Sequence, residues 1–148
     1  MKHLVKKAFS SLGVDIRFAK NINQNSAQRW RKRQDAMWAP FLQHLNVRTI
    51  IDVGANTGQF AQLIHRHCPD SRIVSFEPLP GCHAELTKSL SSFSSSKIIP
   101  MAVGSEAATA QLNASEFSPC SSLLPGTQLL GEDYPDAAVT ETLEVPVV

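Results

Sequence analysis

Arg48-Thr49-Ile50-Ile51-Asp52-Val53-Gly54-Ala55-Asn56-Thr57-Gly58-Gln59-Phe60 is the stretch on which the fold turns. Its first half is a short apolar run rich in β-branched residues, the pattern of a buried strand. Its second half is small and polar. Gly54 lets the backbone bend sharply and lets another molecule approach closely. Asn56 and Thr57 can cap a following helix, and Gly58 lets that helix sit near the sheet. From Thr57 to Cys68 the spacing is helical, with Phe60, Leu63, Ile64 and His67 on one face, and Pro69-Asp70 stops it.

The same alternation continues downstream. Arg72-Ile73-Val74-Ser75-Phe76 reads as a second strand that ends at Glu77-Pro78. Gly81 to Leu90 reads as a second helix, with the serine-rich stretch Ser89 to Ser96 as its polar exit. Lys97 to Val103 reads as a third strand ended by Gly104. Pro100 within it points to an edge position or a bulge, because proline cannot donate to a ladder. Strand, helix, strand, helix, strand means a parallel sheet with right-handed crossovers. Beyond Gly104, residues 107–114 read as an added strand and residues 115–138 as a long Ser/Pro/Gly-rich loop. Thr142 to Val148 reads as a last strand.

The turn at 54–58 is where an open α/β sheet binds its ligand, outside the carboxyl ends of the strands. A dinucleotide loop needs G-x-G-x-x-G, and Asn56 stands where the second glycine belongs. A nucleoside triphosphate loop needs a closing Gly-Lys-Ser/Thr, and Gln59 follows Gly58 instead. Both phosphate-binding patterns are therefore weakened. S-adenosylmethionine has no phosphate. Its ammonium suits Asp52, its carboxylate suits the amides of Gly54 to Gly58, and its ribose diol suits Glu77. Glu77 stands at the end of the second strand, as ribose-binding carboxylates do in dinucleotide folds. Pro78 fixes the chain direction after it, and the adenine edge is expected near Met101 and Ala102.

The rest of the chain bounds the answer. At 148 residues it has a one-domain length, 43% apolar and 18% charged. It holds no run of about 18 apolar residues that would span a membrane. Residues 1–33 carry nine Lys or Arg and one acid, Asp15, whereas the remainder carries five Lys or Arg and twelve acids. The N-terminal third is thus a basic arm. Its residues 2–12 have the spacing of a short amphipathic helix that Gly13 can end. A second helical stretch runs from Arg29 to Trp38 and Ala39, with Pro40 after it, and Phe41, Leu42 and Leu45 make a further apolar face. The cluster Arg29 to Arg33 with Trp30 can grip phosphate, but a solvated helix face with Trp30 and Trp38 docked on the domain is the favoured reading, so no nucleic acid is expected. The Lys2–Lys7 helix allows weak contact with a membrane surface. Cys68, Cys82 and Cys120 fit no zinc spacing and no disulfide framework, which suits a reduced, cytoplasmic setting. No metal site is expected.

Together these residues look like a known family. Ile50 to Phe60 resembles the first motif of the FkbM-type methyltransferases, and Ser75-Phe76-Glu77-Pro78-Leu79-Pro80 resembles their second. Ala102-Val103-Gly104 and Ser121-Ser122-Leu123 resemble weaker segments further on. The resemblance runs from about Thr49 to the C-terminus. It implies a Rossmann-like class I methyltransferase fold, here the N-terminal half of the parallel sheet, preceded by a helical extension. It places residues 1–46 in the extension and 47–148 in a partial cofactor-binding domain. The family's sheet continues past the segment matching Val145 to Val148, so the chain reads as a truncated form. The resemblance implies O-methylation of a sugar or secondary-metabolite hydroxyl, on a small-molecule or glycan acceptor, with S-adenosyl-L-methionine as cofactor. The alternative is a truncated, non-catalytic remnant that binds the cofactor. The cofactor-facing set is Asp52, Gly54, Ala55, Asn56, Thr57, Gly58, Glu77, Pro78, Met101 and Ala102. No catalytic base is identified. His65, His67 and His83 lie on predicted helices and read as surface or packing residues, Ser121 and Ser122 as part of an ordered polar loop, and Cys82 as a small packing residue.

Overall fold

The computed structural model describes residues 19–42, 44–126 and 134–148. The helix expected over residues 2–12 lies outside them. The chain divides after Phe41 into two compact units, each described by itself.

The described residues of the first unit are helical. Helix α1 spans Ala19–Leu42 and contains Pro40 in its last turn. It starts ten residues before the expected Arg29 and continues past the expected stop at Ala39. Residues 19–39 contain neither glycine nor proline, so nothing interrupts propagation once the helix has begun. A proline this close to the end removes one backbone bond and leaves little helix downstream to break. Near that end Trp38 and Phe41 meet edge to face, with ring centroids 6.4 Å apart and planes at 69°.

The second unit is α/β. Strands β1 (Thr49–Val53), β2 (Arg72–Phe76) and β3 (Ser95–Ile99) form a parallel sheet in that order. Helix α2 (Gln59–His65) connects the first two. A short 3₁₀ turn at Pro80–Cys82 followed by helix α3 (His83–Leu90) connects the second and third. The register pairs Asp52 with Ser75 and Phe76 with Ile99. The two crossover helices pack on each other and cover one face of the sheet. Ile50, Asp52, Ile73 and Ser75 point into that face, where Ala61, Leu63, Ile64, Leu86, Leu90 and Phe93 complete the core.

Two expectations are corrected here. Strand β1 is not buried on both sides: Ile51 is 66% and Val53 58% exposed. Side chains of successive strand residues point to opposite faces, and the helices that would bury both parities lie on one face only. The third strand begins inside the serine-rich stretch and stops at Ile99, before Pro100. Pairing with β2 recruits Ser95 and Ser96 despite their weak strand preference, and the sheet order leaves β3 at an edge, as Pro100 suggested.

Strands β4 (Ala108–Ser115) and β5 (Val139–Val147) form an antiparallel pair, with a register irregularity at Ala114/Ser115. The chain after β3 joins this pair to the rest. The Ala102 amide donates to the Pro146 carbonyl at 2.9 Å, and the Val148 amide donates back to the Ala102 carbonyl at 3.0 Å. Leu79, Cys82, Ala102, Leu112, Ala114, Val145 and Val147 pack as one apolar cluster beneath the junction. Each such side chain removed from water contributes on the order of 1–3 kcal/mol. This cluster fixes the β4–β5 pair beside the carboxyl ends of β1 and β2.

Candidate functional site

The site grows from the end of β1. Gly54 and Gly58 have φ of 75° and 89°, and Asn56 has φ of 50°. A left-handed conformation is cheap for glycine and tolerated by asparagine. Gly58 is also a close approach, since a Cβ built there would lie 2.6 Å from the Ser89 Cβ. These local choices turn the chain back over β2.

The turned loop is bonded to the protein itself. The Phe76 carbonyl accepts from the amides of both Gly54 (2.9 Å) and Ala55 (3.0 Å). The Asn56 amide donates to Glu77 Oε2 at 2.6 Å, and the Gly58 amide donates to the Ala55 carbonyl at 2.8 Å. Thr57 contributes its carbonyl, which accepts from Ser89 Oγ at 2.7 Å. Four of the five amides from 54 to 58 thus have acceptors within the chain, and the expected cradle of amides for a ligand carboxylate is not what this loop presents. The physical reason is that buried N–H groups must find a partner, and the nearest are the Phe76 carbonyl and the Glu77 carboxylate.

Glu77 is 3% exposed. Its Oε2 holds Asn56, and its Oε1 accepts the Leu79 amide at 2.8 Å. Its own carbonyl accepts from His83 Nε2 at 2.7 Å, which fixes the proton of that ring on Nε2. Each carboxylate oxygen retains one lone pair after these bonds. Asp52 is 6% exposed and differs in kind, because its Oδ2 is buried with no hydrogen-bond partner. Burial, and secondarily the charge of Glu77, push its pKa from 3.8 to about 6. Ser75, the register partner of Asp52, also has a buried and unpartnered hydroxyl. Two buried carboxylates and a bare hydroxyl therefore lie at the ends of β1 and β2.

A cleft of about 320 Å³ opens beside the loop. Of the sequence-predicted residues, Gly54, Pro78, Met101 and Ala102 line it, together with Val53 and Ser121 to Leu123. Asp52, Ala55, Asn56, Thr57, Gly58 and Glu77 do not line it; Asn56 and Glu77 are bonded to each other away from it. No titratable side chain is among the described residues lining the cleft. The described residues contain no cluster of three or more His, Cys, Asp or Glu able to hold a metal, and no described helix is long and apolar enough to cross a membrane.

Some contributors carry no sequence signal. Ser118 Oγ donates to Asn56 Oδ1 at 3.2 Å, although Ser118-Pro119 by itself marks only a turn. His83 and Ser89 reach the site through single backbone carbonyls. His65, by contrast, packs its ring on Phe93 at 4.5 Å between centroids. Burial pushes the Cys82 thiol above its ordinary value, in keeping with an inert packing residue. No family model matches the chain, and no curated protein sequence matches it.

Proposed function

We propose that the chain binds S-adenosyl-L-methionine and is the cofactor-binding part of an FkbM-type O-methyltransferase, acting on a hydroxyl of a small-molecule or glycan acceptor in a cytoplasmic setting. The observation that carries this is the pair of buried carboxylates at the strand ends, set behind a loop whose amides point inward. Such a site repels phosphate, since it offers negative charge and few free donors. It suits a ligand that brings a cation and hydroxyl donors.

The residues fit that group in part. The unpartnered Oδ2 of Asp52 is an acceptor awaiting a donor, and the ligand's ammonium is one. Glu77 has lone pairs left for ribose hydroxyls, although its first duty is to Asn56 and Leu79. The apolar walls at Pro78, Met101 and Ala102 suit adenine. The bound group supplies a methyl already activated on a sulfonium, so the protein's contribution is to position donor and acceptor in line. Gly54 gives backbone access beside the cleft, and Ser121 and Ser122 offer hydroxyls on its far wall.

Binding without turnover is the second reading. It is favoured by one observation, the lack of a titratable side chain among the described residues that line the cleft, since an alcohol nucleophile needs a base or a metal to take its proton. Calorimetric titration with S-adenosylmethionine and, in parallel, NAD is the test. Saturable binding of the first and none of the second is expected. Binding of NAD, or of neither, would refute the proposal, and transfer of labelled methyl to hydroxylated acceptors would separate an enzyme from a binding remnant.

A further inference from the structure

We infer that Ser118 is a positioning residue: acting through Asn56, it sets the far wall of the cleft, Ser121 to Leu123, against the Gly54–Gly58 loop. This rests on the proposal that the cleft is the cofactor site. Asn56 is the only non-glycine residue with a left-handed φ among the described residues, and it is gripped from three sides. Its amide is held by Glu77 at 2.6 Å. Its Oδ1 accepts from Gln59 Nε2 and from Ser118 Oγ, each at 3.2 Å. A carboxamide oxygen has two lone pairs, so the Asn56 oxygen is saturated.

The Ser118 bond spans 62 residues of sequence and joins this turn to the loop. Ser118 opens the short 3₁₀ turn Ser118–Cys120, and Ser121 and Ser122 follow directly on the cleft wall. The other end of the wall is pinned to β4. Asn113 and Ser122 exchange two backbone bonds of 2.8 and 3.0 Å, and the Ser115 amide donates to Ser121 Oγ at 3.0 Å. The wall is thus bonded to β4 at Ser121 and Ser122, and the turn that leads into it is tied to the loop by a hydroxyl that does not itself line the cleft. Asparagine at 56, rather than the glycine of a dinucleotide loop, follows from this. Glycine would accept the φ but would have no oxygen for Ser118 or Gln59.

The test uses the whole 148-residue chain and the variants Ser118→Ala, Ser118→Thr and Asn56→Gly. Two readouts are taken: calorimetric affinity for S-adenosylmethionine, and amide hydrogen exchange over residues 115–126 without ligand. Loss of the hydroxyl in Ser118→Ala is expected to weaken binding roughly 2- to 12-fold, the span of one net hydrogen bond. Ser118→Thr, which keeps the hydroxyl, is expected to restore it. Exchange at Ser121 to Leu123 is expected to quicken in Ser118→Ala and Asn56→Gly but not in Ser118→Thr. Unchanged exchange in Ser118→Ala overturns the inference, as does equal loss of affinity in Ser118→Ala and Ser118→Thr. If the unaltered chain binds no S-adenosylmethionine, the cofactor proposal fails on its own, and the exchange pattern still decides whether Ser118 sets the wall.

Discussion

Asp52 is a carboxylate placed where ionisation costs stability, and replacing it with asparagine measures that cost. Its pKa is 3.8 when exposed and about 6 in the folded chain, raised first by burial and then by the charge of Glu77. Each unit corresponds to about 1.4 kcal/mol, so ionised Asp52 weakens the fold by about 3 kcal/mol at pH 7.5. The sign follows from proton counting. Between about pH 4 and pH 6 the folded chain holds a proton on Asp52 that the unfolded chain has lost, so stability falls as pH rises through that window. Above about pH 6 both states are ionised and the loss is complete. Asp52→Asn keeps the shape, removes the charge, and brings an N–H donor beside the unpartnered Ser75 hydroxyl and the Glu77 carboxylate. Urea denaturation followed by circular dichroism at pH 5 and pH 7.5 is the assay. Asp52→Asn is expected to be more stable than the unaltered chain by about 2–3 kcal/mol at pH 7.5, with the gap about halved at pH 5. The same variant is expected to lose affinity for S-adenosylmethionine, because the negative charge that would meet the ammonium is gone. A variant that is less stable at pH 7.5, or a gap that does not change with pH, would show that Asp52 is already satisfied in the fold and that burial does not govern it.

Two further perturbations test the loop from other sides. Gly58→Ala places a Cβ 2.6 Å from the Ser89 Cβ at a φ of 89°, and a loss of about 2–4 kcal/mol is expected from the clash and the backbone strain together. Adding Ser89→Gly should relieve the clash and leave the strain, and a thermal-melt double-mutant cycle without coupling would contradict this. Glu77→Gln replaces one carboxylate oxygen by an amide nitrogen facing a backbone N–H, and about 1–3 kcal/mol of stability should be lost. Because Glu77 contributes to the raised pKa of Asp52, the Asp52 midpoint followed by carboxyl-carbon NMR should fall below about 6 in this variant; an unmoved midpoint would mean the two carboxylates do not interact.

The βαβαβ core was legible because its signals are local. β2 runs Arg72–Phe76 as read, and the glycines at 54 and 58 do adopt the conformations that only glycine takes cheaply. The added strand near residues 107–114 and the terminal strand also exist. What stayed hidden depends on partners distant in the chain. Ser95 and Ser96 become strand only because β2 lies beside them. The inward turn of the loop amides depends on the Phe76 carbonyl and Glu77, and periodicity says nothing about which acceptor an amide chooses. The half-open face of β1 could not be read either, because Ile50 and Ile51 are chemically alike and only the helix positions tell them apart. Glu77 was legible as a site residue, but its grip on Asn56 and Leu79 was not.

One atom described above, the Phe76 carbonyl oxygen, has a consequence for motion. It accepts two successive loop amides, Gly54 and Ala55, at the end of a sheet strand. The turn therefore hangs from the sheet and should share its timescale, opening only when the strand ends themselves open. Its entropy is surrendered when the chain folds, not when a ligand arrives. The Gly54 and Ala55 amides are therefore expected to exchange with solvent as slowly as the strand ends from which they hang.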